Sequence, residues 1–332
     1  MNKYQNVLIH VAGLLYLVLD QVPETLAREV VHLLQEWYEN PKQWLNLLDI
    51  TNICPVIVKE VSQFFNTKEI IYISSIHVKR YSALLPHLSS CEVEITISCD
   101  PSDLPELPDL LAALTHHHCT KLALRHHYYH ADTTTFSDNL LQLVQSRSHL
   151  EEFTGSLTCE GFRLLQECHQ LWWLFLAVMT DHHAASLLPQ LHHTVTSTLH
   201  QLEWLGVKVS AAAVSVAAVT SLPSTKKVML ALTDVSDDIV SHACDLAQEL
   251  QPPGGYSWIN CESSTVTVEG IQDMIQHLHL HSVKVKDEFT VETSVRITPD
   301  QRDQLRTLAK TTFNCALRIL GSEVQKSRKI FA

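Results

Sequence analysis

From residue 67 onward, short runs with alternate apolar positions trade places with longer runs whose apolar residues recur three or four apart. The first spacing suits a strand with one buried face, the second a helix with one buried stripe. The pattern is plainest between Leu171 and Val209. Leu171-Trp172-Trp173-Leu174-Phe175-Leu176 and Leu202-Glu203-Trp204-Leu205-Gly206-Val207 both follow L-x-x-L-x-(L/V). Between them Leu187, Leu188, Leu191, Val195 and Leu199 mark one helical face. A strand, a helix and the same strand motif again make one unit of a repeat.

The same reading predicts strands at Glu69–Ser74, Val93–Ser98, Lys121–His127, Leu150–Leu157, Trp172–Val178, Leu202–Val209, Val228–Leu232, Tyr256–Cys261, Val283–Lys286 and Cys315–Leu320. Helices are predicted at Leu107–His118, Phe136–Ser146, Cys159–His169, Ala184–Leu199, Asp237–Leu250, Glu269–His279 and Pro299–Phe313. The L-x-x-L-x-L frame fits five of the strands, starting at Cys119, Leu150, Leu171, Leu202 and Tyr256. The steps are 31, 21, 31 and 54 residues, the last spanning two units, which averages about 27. Leucine-rich repeats run at roughly 20–29 residues with a strand and a helix each. A closed barrel or doubly wound sheet would need phosphate- or substrate-binding loops after its strands, and the chain has only eight glycines in 332 residues. The expected fold is therefore α/β, an irregular leucine-rich-repeat solenoid over 67–332. One departure is visible. Regular repeats place Asn or Cys after the last leucine, whereas here the places hold His126-His127, Met179-Thr180 and Val209-Ser210.

Ahead of the repeats, residues 1–66 read as an α-helical capping block. Tyr4–Leu19 is apolar nearly all round, as a buried helix is. A second helix starts at Val22-Pro23-Glu24-Thr25 with an apolar face of Leu26, Val30, Leu33, Leu34 and Trp37. Trp44, Leu45, Leu47 and Leu48 open a third, and Pro55–Phe65 forms a fourth. Covering the first strand of an array is the role expected of such a block.

Composition narrows the function. Apolar residues make up 45% and charged residues 18%, enough for a core and unlike a disordered chain. A formal charge of −12 with no long basic run sets nucleic acid aside as a partner. Nine cysteines without C-x-x-C pairs fit a reducing, cytoplasmic setting. The run Val7–Leu19 imitates a signal peptide but carries His10, ends at Asp20 and is too short to span a bilayer. No membrane association is expected.

The irregular repeats containing "LPDLLAALTHHHCTKLALRHHYYH", "LLPQLHHTVTSTLHQLEWLGV" and "LQPPGGYSWI", preceded by a four-helix block, resemble the C-terminal half of invertebrate NOD-like receptors. The resemblance implies an innate-immune setting and ligand sensing or autoinhibition by the repeats. In that family a nucleotide-binding domain precedes the helical block. Here no G-x-x-x-x-G-K-[ST] exists, so no nucleotide or other cofactor is expected, and an upstream nucleotide-binding domain would belong to a longer form.

Candidate chemistry is sparse. The twenty-one histidines cluster at His116-His117-His118, His126-His127 with His130, His182-His183, His192-His193 and His277-x-His279-x-His281. On a strand the last would aim three imidazoles to one side as zinc ligands, but the segment also continues a helical pattern from Ile271. Partly exposed helix-end histidines are expected instead, and no metal. Gly255-Tyr256-Ser257-Trp258-Ile259 lacks the second glycine of a nucleophile elbow, so no enzyme activity is expected. The sharper candidate comes from the strand frame, whose third and fifth residues face away from the leucines. The third positions are Lys121, Glu152, Trp173, Trp204 and Trp258, and Phe175 stands at a fifth position. Aromatic anchors on the concave face of a solenoid are what protein interfaces favour. A one-residue slip in register would bury them all. The expected function is recognition of a protein or microbial ligand through these residues, with a constitutive intracellular adaptor or inhibitor as the alternative.

Overall fold

The computed structural model describes residues 10, 13, 24–35, 38, 40–97, 105–117, 119–126, 150–165 and 167–321. The chain forms two compact units, residues 1–125 and 126–332. The helix expected at Phe136–Ser146 lies outside the described residues, as does all of Tyr4–Leu19 except positions 10 and 13.

The first unit opens with helices α1 (Glu24–Gln35), α2 (Pro41–Ile50) and α3 (Pro55–Phe65). Asn40 caps α2 in a full capping box, its side chain accepting from Lys42 N while Gln43 reaches back to the Asn40 N–H. Trp44, Leu45, Leu47 and Leu48 are all buried. In α1 Leu34 of the expected face is buried and Leu26 and Val30 are half-buried, while Val31 joins the buried stripe and Leu33 points outward at 51% exposure. Trp37, expected to extend that face, lies outside the described residues. Strand β1 (Ile70–Ser74) follows, then α4 (Val78–Leu84), β2 (Cys91–Ile97), α5 (Leu107–His116) and β3 (Cys119–His126). Strands β1 and β2 pair in parallel, Ile70 opposite Glu92. Ile71, Ile73, Val93, Ile95 and Ile97 form the buried face, as period-two alternation requires.

The second unit repeats the plan with seven strands, β4 (Leu150–Gly155), β5 (Trp173–Val178), β6 (Trp204–Ser210), β7 (Lys227–Thr233), β8 (Tyr256–Ser264), β9 (Val285–Thr293) and β10 (Ala316–Gly321). They are parallel and lie in chain order. The connecting helices are α6 (Cys159–Leu165), α7 (Asp181–Ser197), α8 (Val240–Glu249), α9 (Val268–Leu280) and α10 (Pro299–Phe313). Only a short 3-10 turn, Val216–Ala218, stands between β6 and β7. Paired residues on successive strands are separated by 21, 31, 23, 29, 30 and 28 residues, a mean of 27. Parallel strands that stay in chain order, joined by helices at that period, are the organisation of a solenoid-like repeat.

The strand leucines make the core. Leu174, Leu205 and Val228 are buried in one row, Leu176, Val207, Leu230, Ile259, Phe289 and Leu317 in the next, and Val178, Val209, Leu232, Cys261, Val291 and Ile319 in the one after. Helices cover that face: Cys261 Sγ meets Met274 Sδ of α9 at 3.4 Å, and the Tyr256 hydroxyl donates to Ala247 O of α8 at 2.8 Å. Strand β9 runs to Thr293, far beyond the expected Val283–Lys286. Its Glu288, Thr290 and Glu292 are polar because they line the uncovered face, so hydropathy alone ends the strand too early.

Two kinds of polar contact join neighbouring strands and helices at the strand ends. Ser210, Thr233, Ser264 and Thr293 are buried at the strand ends, Ser210 beside Thr233 and Ser264 beside Thr293. Ser210 Oγ and Thr233 Oγ1 both donate to Asp234 Oδ2, at 2.6 and 3.0 Å. Ser264 Oγ donates to Glu292 O and Thr293 Oγ1 to Val266 O, each at 2.8 Å. Hydroxyls thus satisfy backbone and carboxylate groups that would otherwise be buried at a cost. The second kind uses histidine. His183 Nε2–H donates to Leu157 O at 2.6 Å, and His242 Nε2–H to Val214 O at 2.9 Å. Both stand at the third position of a helix (α7 and α8) and reach back 26 and 28 residues, about one repeat. In the first unit His117 reaches Ser89 O, 28 residues back, at 3.0 Å.

Burial holds the His183 imidazole below its ordinary pKa, against a smaller opposing effect of its bond to Leu157 O. The unfolded chain then binds a proton near pH 6.5 that the fold refuses. His183 therefore contributes stability above that pH, and it is lost as pH falls through the unfolded value. Urea midpoints are expected to drop between pH 7.5 and 5.5, with a shallower drop in His183→Gln.

Candidate recognition face

Strand pairing fixes which side chains meet on the side of the sheet away from the leucines. One row runs Glu152, Trp173, Trp204 and Lys227. The next runs Thr154, Phe175, Gly206, Met229, Trp258, Glu288 and Ala316. Trp173 and Trp204 are thus equivalent, as the frame expects. Trp258 stands one row along, beside Met229. The steps through β7 to β8 are 23 and 29 residues, two fewer in total than the 54 assumed across that gap. An offset of two keeps the face, so the tryptophans still share one surface.

They meet there. The Trp173 and Trp204 ring centroids are 4.7 Å apart at 32°, and Trp204 and Trp258 are 4.8 Å apart and stacked within 8°. Trp172 adds an edge contact to Trp173 at 6.0 Å. All four rings are half-buried. Lys227 lays its ammonium 4.4 Å from the Trp204 centroid and 4.9 Å from that of Trp258, within cation–π range of both.

The other expected residues divide. Glu152 is half-buried in the row beside Trp173. Phe175 is only 8% exposed, so it supports the rings and presents little surface itself. Its ring lies against Gly206, where an added Cβ would come within 2.1 Å of Phe175 Cδ2. Gly206→Ala is expected to cost about 1–3 kcal/mol through overpacking, measured by denaturant unfolding. The same ring displacement should shift tryptophan emission. Lys121 belongs to the first unit, where it is exposed and paired with Glu92 at 3.4 Å. Lys227 and Met229 were not singled out by the sequence. Their strand, β7, does not fit the leucine frame, and aligning it would have placed Lys227 beside Trp204.

The remaining face is polar and largely matched. Lys208 Nζ pairs with Glu262 at 2.7 Å. Thr290 Oγ1 donates to Glu288 at 2.7 Å, and Arg318 lies 3.9 Å from the same carboxylate. Among the described residues, no group of three or more His, Cys, Asp or Glu is placed to hold a metal ion. His277 and His279 lie in α9 and His281 caps it, so the H-x-H-x-H run is helical. His118, His127 and His130 lie outside the described residues. Among the described residues no helix is long and apolar enough to cross a membrane. The described cysteines whose thiols are deeply buried, Cys168, Cys244 and Cys261, have pKa values pushed up by desolvation, to about 12 for the first two, which makes them core groups and not nucleophiles.

Among known proteins, no family model matches the chain and no curated protein matches it.

Proposed function

We propose that the chain is a non-enzymatic recognition module of leucine-rich-repeat type, taking a protein or microbial ligand on the face that carries Trp173, Trp204 and Trp258. The observation that carries this reading is the stack of half-exposed indoles beside Met229 and Lys227 on the uncovered face of the sheet. Large rigid rings held by their neighbours lose little entropy on binding and supply most of the apolar contact at protein interfaces. The order of elements, helices first and strand–helix repeats after, supports the further reading as the repeat half of an invertebrate NOD-like receptor in a cytoplasmic setting.

Affinity capture from cells with and without a microbial stimulus, using the chain and Trp204→Ala in parallel, tests it. Partners that appear with the stimulus and vanish with the variant support a sensor. One partner retained in both conditions points to an adaptor or inhibitor, and capture that Trp204→Ala leaves unchanged overturns the reading.

A further inference from the structure

The chemistry of the partner can be taken one step further, on the footing of the recognition reading above. We infer that the tryptophan face binds an acidic side chain set among apolar residues of a peptide segment, the carboxylate meeting Lys227.

Lys227 is half-buried, and its ammonium contacts the rings of Trp204 and Trp258. Among the described residues no carboxylate lies within ion-pair distance of it. Other cations of the sheet are better matched: Lys208 holds Glu262, Lys226 holds Glu203 at 2.5 Å, and Arg318 faces Glu288. Glu152, at the other end of the tryptophan row, is also engaged. Lys227 is thus a cation whose contacts here are π faces, which leave its charge uncompensated.

The rings point the same way. Trp204 has Trp173 against it on one side and Trp258 on the other, so its faces are used within the stack. What remains toward a partner is ring edge, the electropositive part of an aromatic quadrupole. A partner's Lys or Arg would meet these edges and an ammonium already in the cation–π position, which is like charge on like charge. A carboxylate would meet opposite charge in a partly desolvated setting, where such bonds are strong. Leucine-like neighbours on the partner would cover Met229 and the rest of the indoles. The formal charge of −12 means that such a partner is held at short range and not steered from afar.

Two end-blocked peptides, Ac-Ser-Leu-Glu-Leu-Gly-Ser-amide and its Gln counterpart, isolate a side-chain carboxylate as the source of charge. Titrated into the full chain and followed by tryptophan emission, the Glu peptide is expected to bind at least tenfold more tightly. Lys227→Met should erase the preference while keeping the apolar stem, and Lys227→Arg should keep it. Equal affinities, a preference that survives Lys227→Met, or no binding of either peptide overturns the inference. The broader recognition reading is judged separately, by whether Trp204→Ala abolishes capture.

Discussion

Replacing Phe289 with alanine is expected to lower the stability of the second unit by about 3–5 kcal/mol. Phe289 is fully buried at the centre of β9, opposite Ile259 on one side and Leu317 on the other. Its loss removes the transfer energy of the ring and opens a cavity between Ile259 and Leu317 that the rigid strand pairing cannot close. Thr290 is the control. One residue along, it lies on the uncovered face and donates to Glu288, so Thr290→Ala should cost about 1 kcal/mol or less. Urea unfolding of both variants reads the register directly. Equal costs would mean that β9 does not bury one face.

Trp204→Ala should have the largest effect on binding. Central rings of an interface cost about 2 kcal/mol or more when truncated, roughly a thirtyfold loss of affinity or greater. The variant also breaks both stacking contacts and one side of the Lys227 site. Each aromatic pair is worth about 0.5–1.5 kcal/mol beyond its area, so a smaller loss of stability should accompany the loss of affinity. Circular dichroism gives a check that needs no partner: the coupled indole bands should collapse in Trp204→Ala and persist in Lys227→Arg. Bands unchanged by removing Trp204 would mean that the rings do not stack.

The strand–helix alternation was legible because the leucines are regular. Burying one face demands period two in strands and three to four in helices, and Leu174, Leu205 and Ile259 obey. The mean step of 27 residues was legible for the same reason. What stayed hidden lies where the chemistry is not hydrophobic. Strand β9 was cut short because Asp287 and Glu288 interrupt its apolar run, although Phe289 and Val291 carry on inward. The Trp258 row was misplaced because β7 has no leucine at the head of its motif, so two unequal steps looked like one long one. The serine and threonine ladder was missed because a hydroxyl can serve any turn, and only three-dimensional partners reveal its acceptor. The histidines read from sequence as partly exposed helix-end groups, whereas His183 and His242, each near a helix start, reach carbonyls about a repeat away. The Trp173–Trp204 pair was within reach of sequence because equivalent frame positions on adjacent strands become neighbours.

The hydroxyl ladder has a consequence for how such a chain can change. Its joints are not alike: β6 and β7 are tied through the carboxylate of Asp234, while β8 and β9 are tied through main-chain carbonyls of Glu292 and Val266. Each junction is keyed to its own mate. Exchanging the order of two repeats would take the Ser210 hydroxyl from Asp234, leaving it only that of its chain neighbour Thr233, and set mismatched ends together, even with every leucine in place. The leucines permit many arrangements of these units, and the keyed junctions select one order among them.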